Sequence, residues 1–121
     1  MATAAFKKRV QEFLNGDKGL YINGNYVPSA SGKTFDVFNP ATEEFIAKVS
    51  EADESDIDKA VQAAREAFDN GEWTQMEAAE RSHIIYKLAD LMEEHREELA
   101  QLEALDNGKP YMQALEDDVD G

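Results

Sequence analysis

The chain has 121 residues, enough for one domain with a real core and too few for two. Its 42% hydrophobic and 9% aromatic content is that of an ordinary folded protein and excludes wholesale disorder. The net charge of −14 argues against nucleic-acid and anionic-membrane partners, because such a surface repels phosphate groups.

That charge is unevenly spread. Residues 1–52 carry six acidic and six basic groups, whereas residues 53–121 carry twenty acidic and six basic ones. No apolar run approaches the roughly 20 residues of a membrane span. The absence of cysteine removes disulfides, thiolate metal sites and cysteine nucleophiles together. Lys7, Lys8 and Arg9 are followed by no apolar stretch of the secretory kind, and Glu12 and Asp17 are out of place in a mitochondrial presequence. A cytoplasmic location is the expectation.

In chain order, Phe6, Val10, Phe13 and Leu14 lie on one face of a short helix, which Asn15-Gly16 should end in a left-handed residue. Leu20-Tyr21-Ile22 and Asn25-Tyr26-Val27 flank Asn23-Gly24, the pattern of a hairpin with a type I′ turn. Residues 28–32 read as a loop. Thr34 to Phe38 and Phe45 to Val49 read as two strands joined through Asn39-Pro40-Ala41-Thr42. This β-rich unit of about 30 residues is too small to stand alone.

After Ser50 the period changes to that of helices. Asp53 or Ser55 can cap a helix with the apolar stripe Ile57, Ala60, Val61, Ala64, Ala67 and Phe68, which Asn70-Gly71 stops. Thr74 and Glu77 have capping-box spacing, and Trp73 is expected to pack beside the two helices. The next stripe is Ile84, Ile85, Leu88, Leu91, Met92, Leu99 and Leu102, with a break near His95 where the spacing slips. Asp106-Asn107-Gly108 closes it, and Pro110 suits the first residue of a further helix. The organisation is therefore residues 1–18 as helix and linker, 19–50 as a hairpin unit and 53–121 as helices. The helical stripes must bury against one another or against something outside this chain.

Several signatures occur in register: Leu20-Tyr21-Ile22-Asn23-Gly24, Phe38-Asn39-Pro40-Ala41-Thr42-Glu43-Glu44, Asp56-Ile57-Asp58-Lys59-Ala60-Val61, Leu88-Ala89-Asp90-Leu91 and Leu105-Asp106-Asn107-Gly108-Lys109-Pro110-Tyr111. Together, from about Leu20 to the last residue, they resemble the N-terminal part of the NAD(P)-dependent aldehyde dehydrogenase superfamily. The resemblance implies an α/β family fold with a Rossmann-like cofactor domain, of which this α+β segment is an outer, incomplete part. It also implies oxidation of aldehydes to carboxylic acids with NAD or NADP, through a cysteine nucleophile, a glutamate base and an oxyanion donor.

None of those groups has a match here, and no Gly-rich phosphate loop is present, so no catalytic or cofactor-binding residue is assigned. The resemblance implies a partial structural cation site formed by the carbonyls of Val37 and Phe38 with Asp106. Hard cations favour such oxygens, but Val37 lacks the hydroxyl sometimes found there.

Sharper readings of other residues fare worse. Glu116, Asp118, Asp120 and Gly121 imitate a calcium loop without its bidentate glutamate. His83 and His95 lack converging ligands. Glu77, Glu80, Glu93, Glu94, Glu97 and Glu98 form a solvated face partly balanced by Arg81 and Arg96. Two expectations follow: a scaffold segment, inactive alone, that joins the rest of an aldehyde dehydrogenase or self-associates; or an inert acidic interaction module of the same descent.

Overall fold

A computed structural model describes residues 6–121. The elements in order are α1 (Lys8–Asn15), β1 (Leu20–Ile22), β2 (Asn25–Val27), β3 (Thr34–Phe38), β4 (Phe45–Ser50), α2 (Glu54–Asn70), α3 (Glu72–Gln75), α4 (Ala78–Glu94), α5 (Arg96–Asn107), α6 (Tyr111–Gln113) and a π-helical segment, Ala114–Val119. The chain is α+β, with β1 paired to β2 and β3 to β4 in two separate two-stranded sheets. Its contacts divide it into two units.

One unit comprises Asp17–Phe35 and Lys48–Tyr86. In its first hairpin Leu20 faces Val27 and Ile22 faces Asn25, in antiparallel register. Asn23 and Gly24 both have positive φ, 50° and 77°, as a type I′ turn demands. Lys18 bridges Val49 in parallel, and its carbonyl accepts from the Ser50 amide at 2.9 Å. The start of α2 is held by a reciprocal cap. The Asp53 carboxylate accepts from the Ser55 and Asp56 amides, and Asp56 accepts in return from the Asp53 amide at 3.2 Å. Asp56 is buried, and it also accepts from the Ala30 amide at 3.0 and 3.1 Å. One carboxylate thus ties the helix start to the loop after β2.

The other unit comprises the first helix with Asp36–Ala47 and Lys87–Gly121. Small residues let its elements approach closely. Val10 of α1, Ala100 of α5 and Ala114 of the π-helical segment are at most 1% exposed. Around this contact the Lys7 amide donates to Gln101 Oε1 at 2.9 Å, and Lys7 pairs with Glu97. Arg96 pairs with Asp120, and Lys109 with Asp118, pinning the last turns.

The break near His95 is present: His95 separates α4 from α5. Three local expectations need correction. Gly16 ends α1 as expected but at φ −81°, not in the left-handed region, while Gly71 stops α2 as read, at φ −72°. Gly71 is required by space instead, since a Cβ there would meet the Ala67 carbonyl oxygen at 2.2 Å. Thr74 is no cap either. Its hydroxyl donates back to the Gly71 carbonyl inside the short α3, and α4 begins only at Ala78. Pro110, with φ −58° and ψ 138°, stands one residue ahead of α6 as its cap.

Candidate functional site

Two turns of one unit, each next to positions singled out for a cation, meet at Pro40 and Gly108. Asn39 organises the first. Its Oδ1 accepts from the Ala41 amide at 2.9 Å, its carbonyl from the Glu43 amide at 2.7 Å, and its own amide donates to the Glu44 carbonyl at 2.8 Å. The second turn ends α5 at Gly108, whose φ of 82° is the left-handed form expected of a terminating glycine. A Cβ on Gly108 would lie 2.8 Å from Pro40 Cγ, so the two turns are in direct contact. Val37 and Phe38 end the strand leading into the first turn, and Asp106 lies in the last turn of α5. Val37 is half-buried, whereas Phe38 and Asp106 are exposed. Among the described residues no three His, Cys, Asp or Glu side chains converge on one point. A cation here would rest chiefly on backbone oxygens.

The acidic tail is already engaged. Asp118 is taken by Lys109 and Asp120 by Arg96. These contacts hold the Lys109 ammonium and the Arg96 guanidinium above their usual values, chiefly through the hydrogen bonds to Asp118 and Asp120. His95 Nδ1 lies 2.9 Å from a Glu98 carboxylate oxygen. Arg9 Nη1 is 2.9 and 3.0 Å from the two ring nitrogens, a near-equal spacing that places the guanidinium over the ring. His83 lines an open groove of about 750 Å³ with Met76, Ala79 and Ile84 as apolar wall and Glu72 and Glu80 at the rim. No nucleophile–base pair is present in that groove, and the histidines are not brought together with other ligands.

Helix N-termini attract phosphate through free amides. At α2 those amides are taken by Asp53, with Glu54 and Asp56 adding negative charge. The first turns of α4 and α5 carry Glu80, and Glu97 with Glu98.

The largest feature of the surface is apolar. Ile57, Val61 and Phe68 on α2 are 55%, 61% and 67% exposed. Ile84, Ile85, Leu88, Leu91 and Met92 on α4 are 42–57% exposed. The helical stripes are therefore real, and most of their large side chains are bare. Exposed apolar side chains on amphipathic helices mark interfaces. No helix among the described residues is long and apolar enough to cross a membrane.

The sequence reading missed Asp56 as a buried anchor and the Lys109–Asp118 and Arg96–Asp120 pairs. Asp53 and Asp56 do have capping-box spacing, with Asp in both places, which was the available signal. The two ion pairs join residues 9 and 24 positions apart and left no local pattern.

The family model for the aldehyde dehydrogenase family matches residues 26–121, and the chain belongs to that family, as its N-terminal segment. The Bacillus subtilis protein DhaS is 58% identical over 117 residues, 97% of this chain and 24% of that one. Family 2 member B4, a mitochondrial aldehyde dehydrogenase of Arabidopsis thaliana, is 59% identical over 96 residues, 79% of this chain and 18% of its own length. Among solved structures, the NAD+ complex of a Bacillus cereus aldehyde dehydrogenase superposes with a TM-score of 0.91 at 61% identity, covering 95% of this chain and 23% of that one. The chain thus spans a quarter or less of the relatives it matches, and its fold is the corresponding part of theirs.

Proposed function

We propose that this chain is a scaffold segment of an NAD(P)-dependent aldehyde dehydrogenase, contributing packing surface and no reacting group. The observation that carries the reading is the exposure of the large apolar side chains on α2 and on α4. Relatives four times as long have further polypeptide with which such a face could pack. In the whole protein the reaction is oxidation of an aldehyde to a carboxylic acid with NAD or NADP. Solved relatives in complex with NAD+ favour NAD. Nucleophile, base and cofactor cradle then come from outside these residues, and the segment alone turns over nothing. A cytoplasmic location fits the same reading.

The test is complementation. The 121-residue chain is mixed with a Bacillus cereus aldehyde dehydrogenase lacking its matching first quarter, and complex formation and NADH production are followed. A stoichiometric complex with restored turnover supports the scaffold. Failure to bind, together with turnover by the short chain alone, overturns it.

Within the segment, the Val37 and Phe38 carbonyls with Asp106 form one side of a structural cation site. Support comes from the contact of Gly108 with Pro40, which joins the two turns that bear them. Hard cations should raise the melting temperature, and Asp106→Ala should remove that rise. An identical rise in the variant would dismiss the site.

A second reading has one observation in its favour. The acidic rim of Glu72 and Glu80 around Met76 and Ile84 suits a cationic amphipathic segment of another protein. A cooperative monomer that binds such peptides but not the truncated dehydrogenase would favour it.

A further inference from the structure

The sequence contains four Asn-Gly pairs, at 15–16, 23–24, 70–71 and 107–108. Such pairs share a chemical weakness. The unhindered glycine nitrogen attacks the asparagine side-chain carbonyl carbon, ammonia leaves, and a five-membered succinimide forms. Water then opens either of its carbonyls, giving aspartate or isoaspartate. No oxidant or reductant takes part. The attacking nitrogen must lose its proton and swing toward the side chain, so a hydrogen bond that holds that N–H slows the step.

The fold treats the four pairs differently. The Gly16 amide donates to the Glu12 and Phe13 carbonyls at 3.1 and 3.2 Å. The Gly71 amide donates to the Ala67 carbonyl at 3.1 Å, and the Asn70 side-chain nitrogen is held at 3.0 Å by both carboxylate oxygens of Glu66. The Gly108 amide donates to the Ala104 carbonyl at 3.0 Å. Each of these three glycines caps a helix, and its nitrogen is fixed by that role.

Asn23-Gly24 is the exception. It forms the two central residues of the β1–β2 turn, where the cross-strand bonds are made by the flanking residues Ile22 and Asn25. Among the described residues the Gly24 amide has no acceptor and the Asn23 side chain no partner. A Cβ on Gly24 would meet nothing within 4 Å, so the turn is open to water and hydroxide. The hairpin has only three residues a side, and a two-stranded ribbon of that size opens readily.

We propose that Asn23 is the modification site of this chain: it converts to aspartate and isoaspartate through a succinimide with the Gly24 nitrogen, while the other three pairs are protected by their capping bonds. Isoaspartate lengthens the backbone by one methylene inside a turn with no room in its register. Either product adds a negative charge to the half of the chain that is otherwise neutral.

Peptide mass mapping of the intact chain, incubated in mildly alkaline buffer, tests this. The peptide holding Asn23 should gain the mass of an amide-to-acid exchange roughly tenfold faster than those holding Asn15, Asn70 or Asn107, the ratio one protecting hydrogen bond provides. The same incubation in denaturant should bring the four rates together. Equal rates in the folded chain, or any other site ahead of Asn23, overturn the proposal. An order that survives denaturation also overturns it, because sequence context rather than the fold would then set the rates.

Discussion

The contact of α1, α5 and the π-helical segment differs sharply from the faces of α2 and α4. In the first, Val10, Ala100 and Ala114 are sealed, and polar groups around them are paired. In the second, larger apolar side chains such as Phe68 and Ile85 are more than half exposed. Apolar stripes are legible in α1 and α2 alike, so amphipathicity alone does not say whether a partner lies within the same chain. Alanines at 100 and 114 lie in a contact that closes here, whereas the Ile, Val and Phe of α2 and the Ile and Leu of α4 stay exposed. The relative DhaS is about four times as long, and its further polypeptide could cover such stripes.

The contrast can be broken from its closed side. Asp56→Ala should have the largest effect on stability, about 2–3 kcal/mol, because it removes the buried carboxylate that the Ala30 and Asp53 amides share. Denaturant melts would read this, and an unchanged midpoint would dismiss the anchor. Ala100→Leu should cost about 1–3 kcal/mol by overpacking a sealed position. Gly108→Ala should cost about 1–2 kcal/mol, from left-handed strain and the approach of Pro40. By the same measurement Ile85→Lys on the bare face should stay within about 0.5 kcal/mol, since little is buried there.

Acid should give the smallest effect. The Asp53 carboxylate is held below its ordinary value chiefly by the Ser55 hydroxyl, and Glu97 chiefly by its hydrogen bond to Lys7. Both folded values are depressed, so their stabilisation is complete above the ordinary carboxylate range and is lost as pH falls through the lowered values. Ser55→Ala should reduce the part due to Asp53, visible as a flatter loss of melting temperature in acid. An identical acid limb would refute that role.

Much of the fold was legible in the sequence because its signals are local. Asn23-Gly24 announced the hairpin, the slip of spacing at His95 announced the helix break, and Gly108 announced the end of α5. Gly16 and Gly71 end their helices as read, without the left-handed φ expected at Gly16, and at Gly71 the requirement is space beside the Ala67 carbonyl. The cation positions came from resemblance to the family, and the sequence by itself could not bring Pro40 to Gly108, which are far apart along the chain. The bare faces were half legible: the stripes could be read, but not which partner covers them.

The most direct test of that last point is sedimentation velocity of the 121-residue chain over a wide concentration range. The same run is made on a variant carrying Ile57→Lys, Phe68→Lys and Ile85→Lys. The account predicts concentration-dependent association of the unaltered chain and a monomer for the variant, with similar melting temperatures. An unaltered chain that stays monomeric throughout and melts sharply would mean that α2 and α4 need no further partner, contradicting the scaffold reading.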